Sequence, residues 1–224
     1  PELRHAIAGK VAALYGTAYD AASEITVTAG ATQALFTAIA AFVGPGDEAI
    51  VFEPVYDSYG PAIETVGGRV RPSRLAFPGY RPDWDHVASL INPRTRMIVV
   101  NSPHNPTGSL LSAADLDTLA GLVRDTRIVV LSDEVYEHIA FGGRHESLCR
   151  HPELAARSLV VSSFGKTYHI TGWKVGYVVA PAALTAEFRK VHQFNVFTVN
   201  TPAQLGIAEY MADPARYLGL ADFY

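Results

Sequence analysis

Residues 97–108 of the chain read Met-Ile-Val-Val-Asn-Ser-Pro-His-Asn-Pro-Thr-Gly. The apolar run from Met97 to Val100 is typical of a strand that is buried on both faces of a sheet. The polar run that follows contains two asparagines, two prolines and a glycine, which favour a rigid loop. The sequence therefore predicts a buried strand whose carboxyl end opens directly into a polar loop.

The same arrangement recurs elsewhere in the chain. Apolar or β-branched strands are predicted at residues 25–28, 128–131 and 159–162, and polar residues follow each of them. Patterns typical of helices separate the strands, including a capping-box-like start at Ser112. This alternation predicts an α/β fold with three α/β/α layers and a mostly parallel central sheet. Ligands of such sheets bind beyond the carboxyl ends of the strands.

Composition excludes several classes of protein. The 224 residues are 49% hydrophobic and 18% charged, which argues against disorder. A formal net charge of −4 argues against nucleic-acid binding through bulk positive charge, and no apolar run approaches the roughly 18 residues of a membrane span. The single cysteine, Cys149, excludes an intrachain disulfide framework. We expect a cytoplasmic protein with neither nucleic acid nor membrane as a partner.

The polar residues that follow two of the predicted strands can be explained either by structure or by function. Gly30-Ala31-Thr32 lies between a strand and a helix, where free N–H groups suit a phosphate, but an ordinary tight turn capped by Thr32 would look the same. Asn105, in the loop after Val100, can donate to a ligand oxygen. Alternatively, its side chain bonds its own backbone in a structural turn.

The other two strand ends carry charge. Asp133, with Tyr136 three residues later, would be costly to bury without a partner, so it is either a helix cap or the partner of a cationic ligand. Lys166 could be a surface charge, a phosphate clamp or a Schiff-base nucleophile, and Lys174 could hold a phosphate nearby. A P-loop would require glycine where the chain has Val160.

A metal site has little support in the sequence. The donors His145, Cys149 and His151 lie in a predicted loop without a recognised ligand spacing. We therefore predict no metal.

Taken in order along the chain, these residues resemble a known family. Asn105, Asp133, Tyr136, Lys166 and Lys174 match the motifs of fold-type I pyridoxal-phosphate (PLP) enzymes, specifically class I/II aminotransferases. Within them the chain looks most like the kynurenine/glutamine-phenylpyruvate branch, which includes bacterial methionine aminotransferases. The resembling stretches cover nearly the whole chain: residues 25–35, 53–59, 101–108, 132–139, 162–177 and 200–204.

The resemblance implies a role for each matching residue. Lys166 would hold PLP covalently and act as the catalytic base. Asp133 would pair with the ring nitrogen, while Tyr136 and Asn105 would hydrogen-bond the phenolic oxygen and Tyr56 would stack on the ring. The phosphate would be bound by the remaining cofactor-binding residues: Gly30, Ala31, Thr32, Ser163 and Lys174. Phe197 would reach the pocket of a neighbouring subunit.

The resemblance also implies the reaction and the assembly. PLP-dependent transamination would move an amino group from methionine, or another apolar or aromatic amino acid, to a 2-oxo acid by a ping-pong mechanism. Residues 1–224 would be the cofactor-binding large domain of a homodimer. An N-terminal segment and a small domain that holds the carboxylate-binding arginine would lie outside them. Two alternatives stay open: a cysteine-conjugate β-lyase on the same scaffold, or the sensor domain of a transcription regulator.

Overall fold

In the computed structural model, which describes residues 1–224, the chain folds around one seven-stranded sheet. The strands are β1 (Ile25–Thr28), β2 (Glu48–Glu53), β3 (Arg69–Arg74), β4 (Thr95–Asn101), β5 (Val129–Asp133), β6 (Ser158–Ser163) and β7 (Gly176–Val179). Their spatial order is β1-β7-β6-β5-β4-β2-β3. Only β7 runs antiparallel to its neighbours, so the prediction of a mostly parallel sheet is confirmed.

Helices cover both faces of the sheet. They are α1 (Glu2–Tyr15), α2 (Gly30–Phe42), α3 (Tyr59–Thr65), α4 (Trp84–Leu90), α5 (Ala113–Val123), α6 (Pro152–Ala155), α7 (Phe164–Thr167), α8 (Ala182–Asn195), α9 (Thr201–Tyr210), α10 (Ala215–Leu218) and α11 (Leu220–Phe223), with 3₁₀ turns at Leu148–Arg150 and Thr171–Trp173. Helices α2, α3 and α8 share one core, and α1, α4, α5 and α9 share the other. None of the helices combines the length and apolar character needed to cross a bilayer.

Strand β4 shows how the two cores are separated. Met97 and Val99 belong to one core, whereas Ile98 and Val100 belong to the other, because successive side chains of a strand point to opposite faces. All four are at most 2% exposed. A strand buried on both faces needs apolar residues at every position, which is why the run at residues 97–100 predicted the three-layer fold correctly.

Most element boundaries agree with the sequence prediction, and the exceptions have local causes. The predicted capping box is present, since Ser112 Oγ accepts from the Asp115 backbone N–H at 3.2 Å. Helix α2 begins at Gly30 itself, where a φ of 76° lets the chain turn sharply into the helix. Strand β3 contains Pro72, which lacks a backbone N–H, and it lies at the edge of the sheet where such a residue is tolerated.

A buried ion pair joins α1 to the segment that follows β5. Lys10 Nζ lies 2.6 Å from Glu137 Oε1, and the two side chains are 4% and 2% exposed. The same carboxylate accepts hydrogen bonds from Ser162 Oγ at 2.6 Å and from Tyr177 at 3.2 Å, and Tyr15 donates to its other oxygen. Lys10 and its neighbours hold the pKa of Glu137 well below its usual range in spite of burial. This cluster therefore links α1, β6 and β7 at one buried charge.

We expect Lys10→Met to lower the free energy of unfolding by about 3–5 kcal/mol, because it leaves the Glu137 carboxylate buried without its cation. Lys190→Met is the matched control: Lys190 pairs with Glu187 at 2.6 Å, but both side chains are at least half exposed, so the change should stay within about 1 kcal/mol. Urea denaturation of the two variants measures the difference. Equal effects would contradict the role of the Lys10–Glu137 pair.

Candidate active site

A cavity of about 260 Å³ lies at the carboxyl ends of β4, β5 and β6, beside the N-terminus of α2. The structure brings all ten residues predicted to bind the cofactor to its wall: Gly30, Ala31, Thr32, Tyr56, Asn105, Asp133, Tyr136, Ser163, Lys166 and Lys174. Residues that were not assigned to the site complete the lining: Leu35, Asn101, Val135, Gly165 and Thr171. The cavity lies where an α/β sheet places its ligands.

The N-terminus of α2 forms one end of the cavity. This helix has 13 residues, and its first N–H groups and dipole favour an anion. Strand β7 packs tightly beneath it: a Cβ on Gly176 would lie 2.8 Å from Ser162 O and 3.0 Å from the carbonyl carbon of Gly30. Lys174 turns toward the same helix end through a left-handed backbone with φ 53°. The positive helix end and the lysine together define an anion-binding end.

Ser163 and Thr171 lie beside this anion-binding end. Ser163 Oγ accepts from the Gly165 backbone N–H at 3.1 Å and so caps α7. Thr171 Oγ1 donates to Gly165 O at 3.1 Å, which fixes the 3₁₀ turn against α7. The Ser163 hydroxyl only accepts in this arrangement, so its hydrogen can be donated to a ligand oxygen. Thr171 carries no motif that would have assigned it to the site from sequence.

Asp133 contributes a buried carboxylate to the cavity wall. It ends β5 and is 3% exposed. Its Oδ2 accepts from the Tyr59 hydroxyl at 2.6 Å, and its Oδ1 has a longer contact, 3.3 Å, with the Val135 N–H. No cation lies within ion-pair distance, and burial raises the pKa of Asp133 to about 6. A cationic N–H group in the cavity would therefore be stabilised by this carboxylate.

Asn101 connects the loop after β4 to the end of β5. Its Nδ2 donates to Asp133 O at 2.8 Å, and its Oδ1 accepts from the Asn105 N–H at 2.7 Å. The strand register places Asn101 directly beside Asp133. The sequence signal for this role was present, because Asn101 is the first polar residue after a buried strand. It was not assigned to the site.

Lys166 lies on α7, just after the end of β6. Its Nζ is 5.8 Å from the centre of the Tyr136 ring, and both side chains line the cavity. Lys166 is exposed, so its amine is accessible to a ligand from the open side of the cavity. The short helix was not predicted from the sequence, since four residues give no helical periodicity.

The three side chains considered as metal ligands, His145, Cys149 and His151, do not meet at a common point. His145 contacts Glu134 at 2.9 Å, and His151 contacts Asp117 at 3.1 Å. Cys149 is buried, and burial raises the pKa of its thiol to about 12. No group of three His, Cys, Asp or Glu side chains has an arrangement suited to a metal ion. Phe197 is 78% exposed and lies away from the cavity.

Comparison with known proteins places the chain in a class of enzymes. The family model described as "Aminotransferase class I and II" matches residues 1–219, and the chain belongs to this family. Members of the family depend on PLP.

Individual members of the family can be compared with the chain by sequence identity. The chain is 54% identical over 224 residues to the methionine aminotransferase of Escherichia coli, covering 99% of this chain and 58% of the relative. It is 34% identical to rat kynurenine–oxoglutarate transaminase 1, covering 100% of this chain and 56% of the relative. The chain thus spans little more than half the length of these relatives.

Solved structures agree with the sequence comparison. The structure of Escherichia coli YbdL, for which a methionine aminotransferase function is described, has a TM-score of 0.98 at 54% identity and covers 100% of this chain and 60% of that one. N-succinyldiaminopimelate aminotransferase from Mycobacterium tuberculosis has a TM-score of 0.95 at 36% identity, covering 99% and 59%. The α/β fold predicted from the sequence is therefore that of the PLP-dependent aminotransferases.

The residues of the cavity fit PLP. The phosphate is an anion, which matches the N-terminus of α2 with Ser163 and Lys174. The protonated ring nitrogen is a cationic N–H, which matches the buried Asp133 carboxylate that no side-chain cation neutralises. An amine, that of Lys166, is present for the aldehyde. The phosphate, the ring nitrogen and the aldehyde of PLP thus each have a chemically suitable partner in the cavity.

The raised pKa of Asp133 predicts how stability depends on pH in protein freed of cofactor. The folded value, about 6, lies above the ordinary value of about 3.9. The contribution of Asp133 to the free energy of unfolding is therefore full below pH ~4 and is lost as pH rises through ~6, a change of about 3 kcal/mol.

The Asp133→Asn variant has no carboxyl group at this position and should not show that loss. We expect the wild-type protein to become less stable relative to the variant between pH 4 and pH 7, as measured by denaturation at each pH. A stability difference that is constant over this range would contradict the assignment of the raised pKa to Asp133.

Proposed function

We propose that this protein is a PLP-dependent aminotransferase that moves an amino group from methionine, or another apolar or aromatic amino acid, to a 2-oxo acid. The observation that carries the proposal is the single cavity in which an accessible amine (Lys166), an unneutralised buried carboxylate (Asp133) and a helix N-terminus (α2) meet. The 54% identity to a methionine aminotransferase supports the choice of amino donor.

The cofactor would be held by residues on several elements. Gly30, Ala31 and Thr32 would bind the phosphate through backbone N–H groups, together with Ser163 and Lys174. Asp133 would keep the ring nitrogen protonated through a charge-assisted hydrogen bond. The ring's phenolic oxygen would accept hydrogen bonds from Asn105 and Tyr136, and Tyr56 would stack on the ring face.

The chain's own chemistry centres on Lys166. When bound, PLP supplies an electrophilic aldehyde carbon and a ring that withdraws electrons from the substrate Cα. The Lys166 amine would take up the Cα proton of the substrate as general base and would later give up a proton as general acid. The Asp133 carboxylate would hold the ring nitrogen in its protonated form throughout. Release of a 2-oxo acid and return through a second one would give ping-pong kinetics.

The assembly and the division of the chain are part of the same proposal. Residues 1–224 would form the cofactor-binding large domain, and the group that binds the substrate carboxylate would lie outside them. The protein would act as a cytoplasmic homodimer. Phe194 and Phe197, at and just after the C-terminal end of α8, are 86% and 78% exposed, and apolar surface of this kind favours contact with a second subunit.

We expect Lys166→Ala to lower kcat for transamination by at least about 10²–10⁴-fold, because it removes the general base. Lys190→Ala is the matched control, since Lys190 is an exposed lysine on α8 that pairs with Glu187 and lies away from the cavity. It should keep wild-type activity. A Lys166→Ala variant that retained the wild-type rate would disprove the assignment of the base.

The half-reaction tests the donor separately from the acceptor. Addition of L-methionine without a 2-oxo acid should convert the absorption spectrum of the protein-bound PLP to that of pyridoxamine phosphate, with stoichiometric release of a 2-oxo acid. An unchanged spectrum with methionine, but conversion with other amino acids, would keep the class of reaction and change the donor. Release of ammonia, which the transamination half-reaction does not produce, would mean elimination instead of transfer.

A further inference from the structure

We infer that Tyr59, which does not line the cavity, is a positioning residue that orients the Asp133 carboxylate and the Tyr56 ring toward the cofactor. The inference rests on the proposed function and assigns a role to a side chain that the proposed mechanism does not use. Tyr59 is the first residue of α3 and is 3% exposed. No sequence motif singled it out.

Two contacts give Tyr59 this role. Its hydroxyl donates to Asp133 Oδ2 at 2.6 Å across 74 positions of the chain. Its ring packs edge to face against Tyr56, with centroids 5.6 Å apart and planes at 74°. One side chain therefore touches both the residue proposed to bind the ring nitrogen and the residue proposed to stack on the ring.

The hydrogen bond from Tyr59 selects which carboxylate oxygen is available. Oδ2 is occupied by the Tyr59 hydroxyl, whereas Oδ1 has only the 3.3 Å contact with the Val135 N–H. The terminal torsion of an aspartate is broad and has little preference of its own. A short bond to one oxygen restrains that torsion, and it leaves Oδ1 as the acceptor for a ligand N–H in the cavity.

The same bond stabilises the charged form of Asp133. Burial and the neighbouring carboxylate keep the pKa of Tyr59 well above its usual value, so the phenol stays a neutral donor across the working pH range. A hydrogen bond to the charged form lowers the pKa of a carboxyl group, and here it opposes the effect of burial.

Other titratable groups surround Asp133 without forming a side-chain hydrogen bond to its carboxylate. They are Glu134 beside it, Tyr56 before α3, Tyr136 after β5, and Lys166 and Lys174 on the cavity wall. Glu134 is engaged elsewhere, with Ser132 Oγ and the Leu148 N–H. Loss of the Tyr59 hydroxyl would therefore leave the carboxylate without its one side-chain donor, and the Asp133 pKa would rise above 6.

The test compares the PLP dissociation constants of Tyr59→Phe and wild-type protein from pH 5.5 to pH 8.5, measured by absorption. Binding requires ionised Asp133, so a rise of about one unit in the Asp133 pKa should weaken binding by the variant about 5-fold at pH 6, and the ratio should approach 10 at lower pH. At pH 8.5 the carboxylate is ionised in both proteins, and the two constants should agree within about twofold. Titration of PLP itself cancels in the ratio.

Two controls separate this effect from general loss of structure. Tyr19→Phe removes a part-buried hydroxyl that contacts Cys149 Sγ at 3.7 Å, far from the cavity lining, and should leave PLP binding unchanged at every pH. In the Asp133→Asn background, Tyr59→Phe should lose its pH-dependent effect, because no carboxyl group remains to titrate.

The outcomes are distinct. A ratio that equals one at every pH, or a loss of affinity that is equal at every pH, would overturn the inference and leave the proposed function standing. Wild-type protein that binds no PLP would overturn the proposed function, and the inference with it. A ratio that falls from nearly 10 to about 2 or less with rising pH would support Tyr59 as the residue that restrains the Asp133 carboxylate and stabilises its charged form.

Discussion

The alignment of strand ends in the parallel part of the sheet is the constraint on which the site depends. In the register of β4 with β5, Asn101 lies directly beside Asp133, and β5 pairs Asp133 with Val161 of β6. Parallel strands with this register end at the same edge, so residues distant in sequence converge there. Displacing β5 by one residue would turn the Asp133 side chain to the other face of the sheet. The hydrophobic pattern that fixes the register therefore also fixes the chemistry.

Sequence was sufficient for the parts of the fold and site that have a strong local pattern. The apolar run at Met97–Val100 defined a doubly buried strand, and the polar residues that follow the strands proved to share one cavity. Tyr59 could not be found in this way, because its role depends on a contact across 74 positions and its local surroundings are those of an ordinary helix start. The same holds for Lys10, whose partner Glu137 is 127 positions away. Such pairs are specified by tertiary packing, which leaves no periodic signal.

Two buried acids, Asp133 and Glu137, show that the partners of a buried carboxylate decide its pKa more than burial does. Asp133 and Glu137 are both buried. Glu137 is paired with Lys10, and its pKa falls well below the usual range; Asp133 has only neutral donors, and its pKa rises to about 6. Glu137 is thus committed to holding α1, β6 and β7 together. A cation would still stabilise the Asp133 carboxylate, so Asp133, and not Glu137, is available to bind a ligand.

The distribution of charge around the cavity also restricts what that ligand can be. The N-terminus of α2 and Lys174 favour an anion in the cavity, and Asp133 on the same cavity wall favours a cationic N–H group. A simple phosphate would satisfy the first two and leave the carboxylate without a partner, whereas a simple amine would do the reverse. A ligand that carries a phosphate and a basic ring nitrogen on one rigid frame satisfies both, and the Lys166 amine on the cavity wall adds the requirement for a carbonyl carbon. These three demands together single out PLP among phosphate-bearing ligands more strongly than any one motif does.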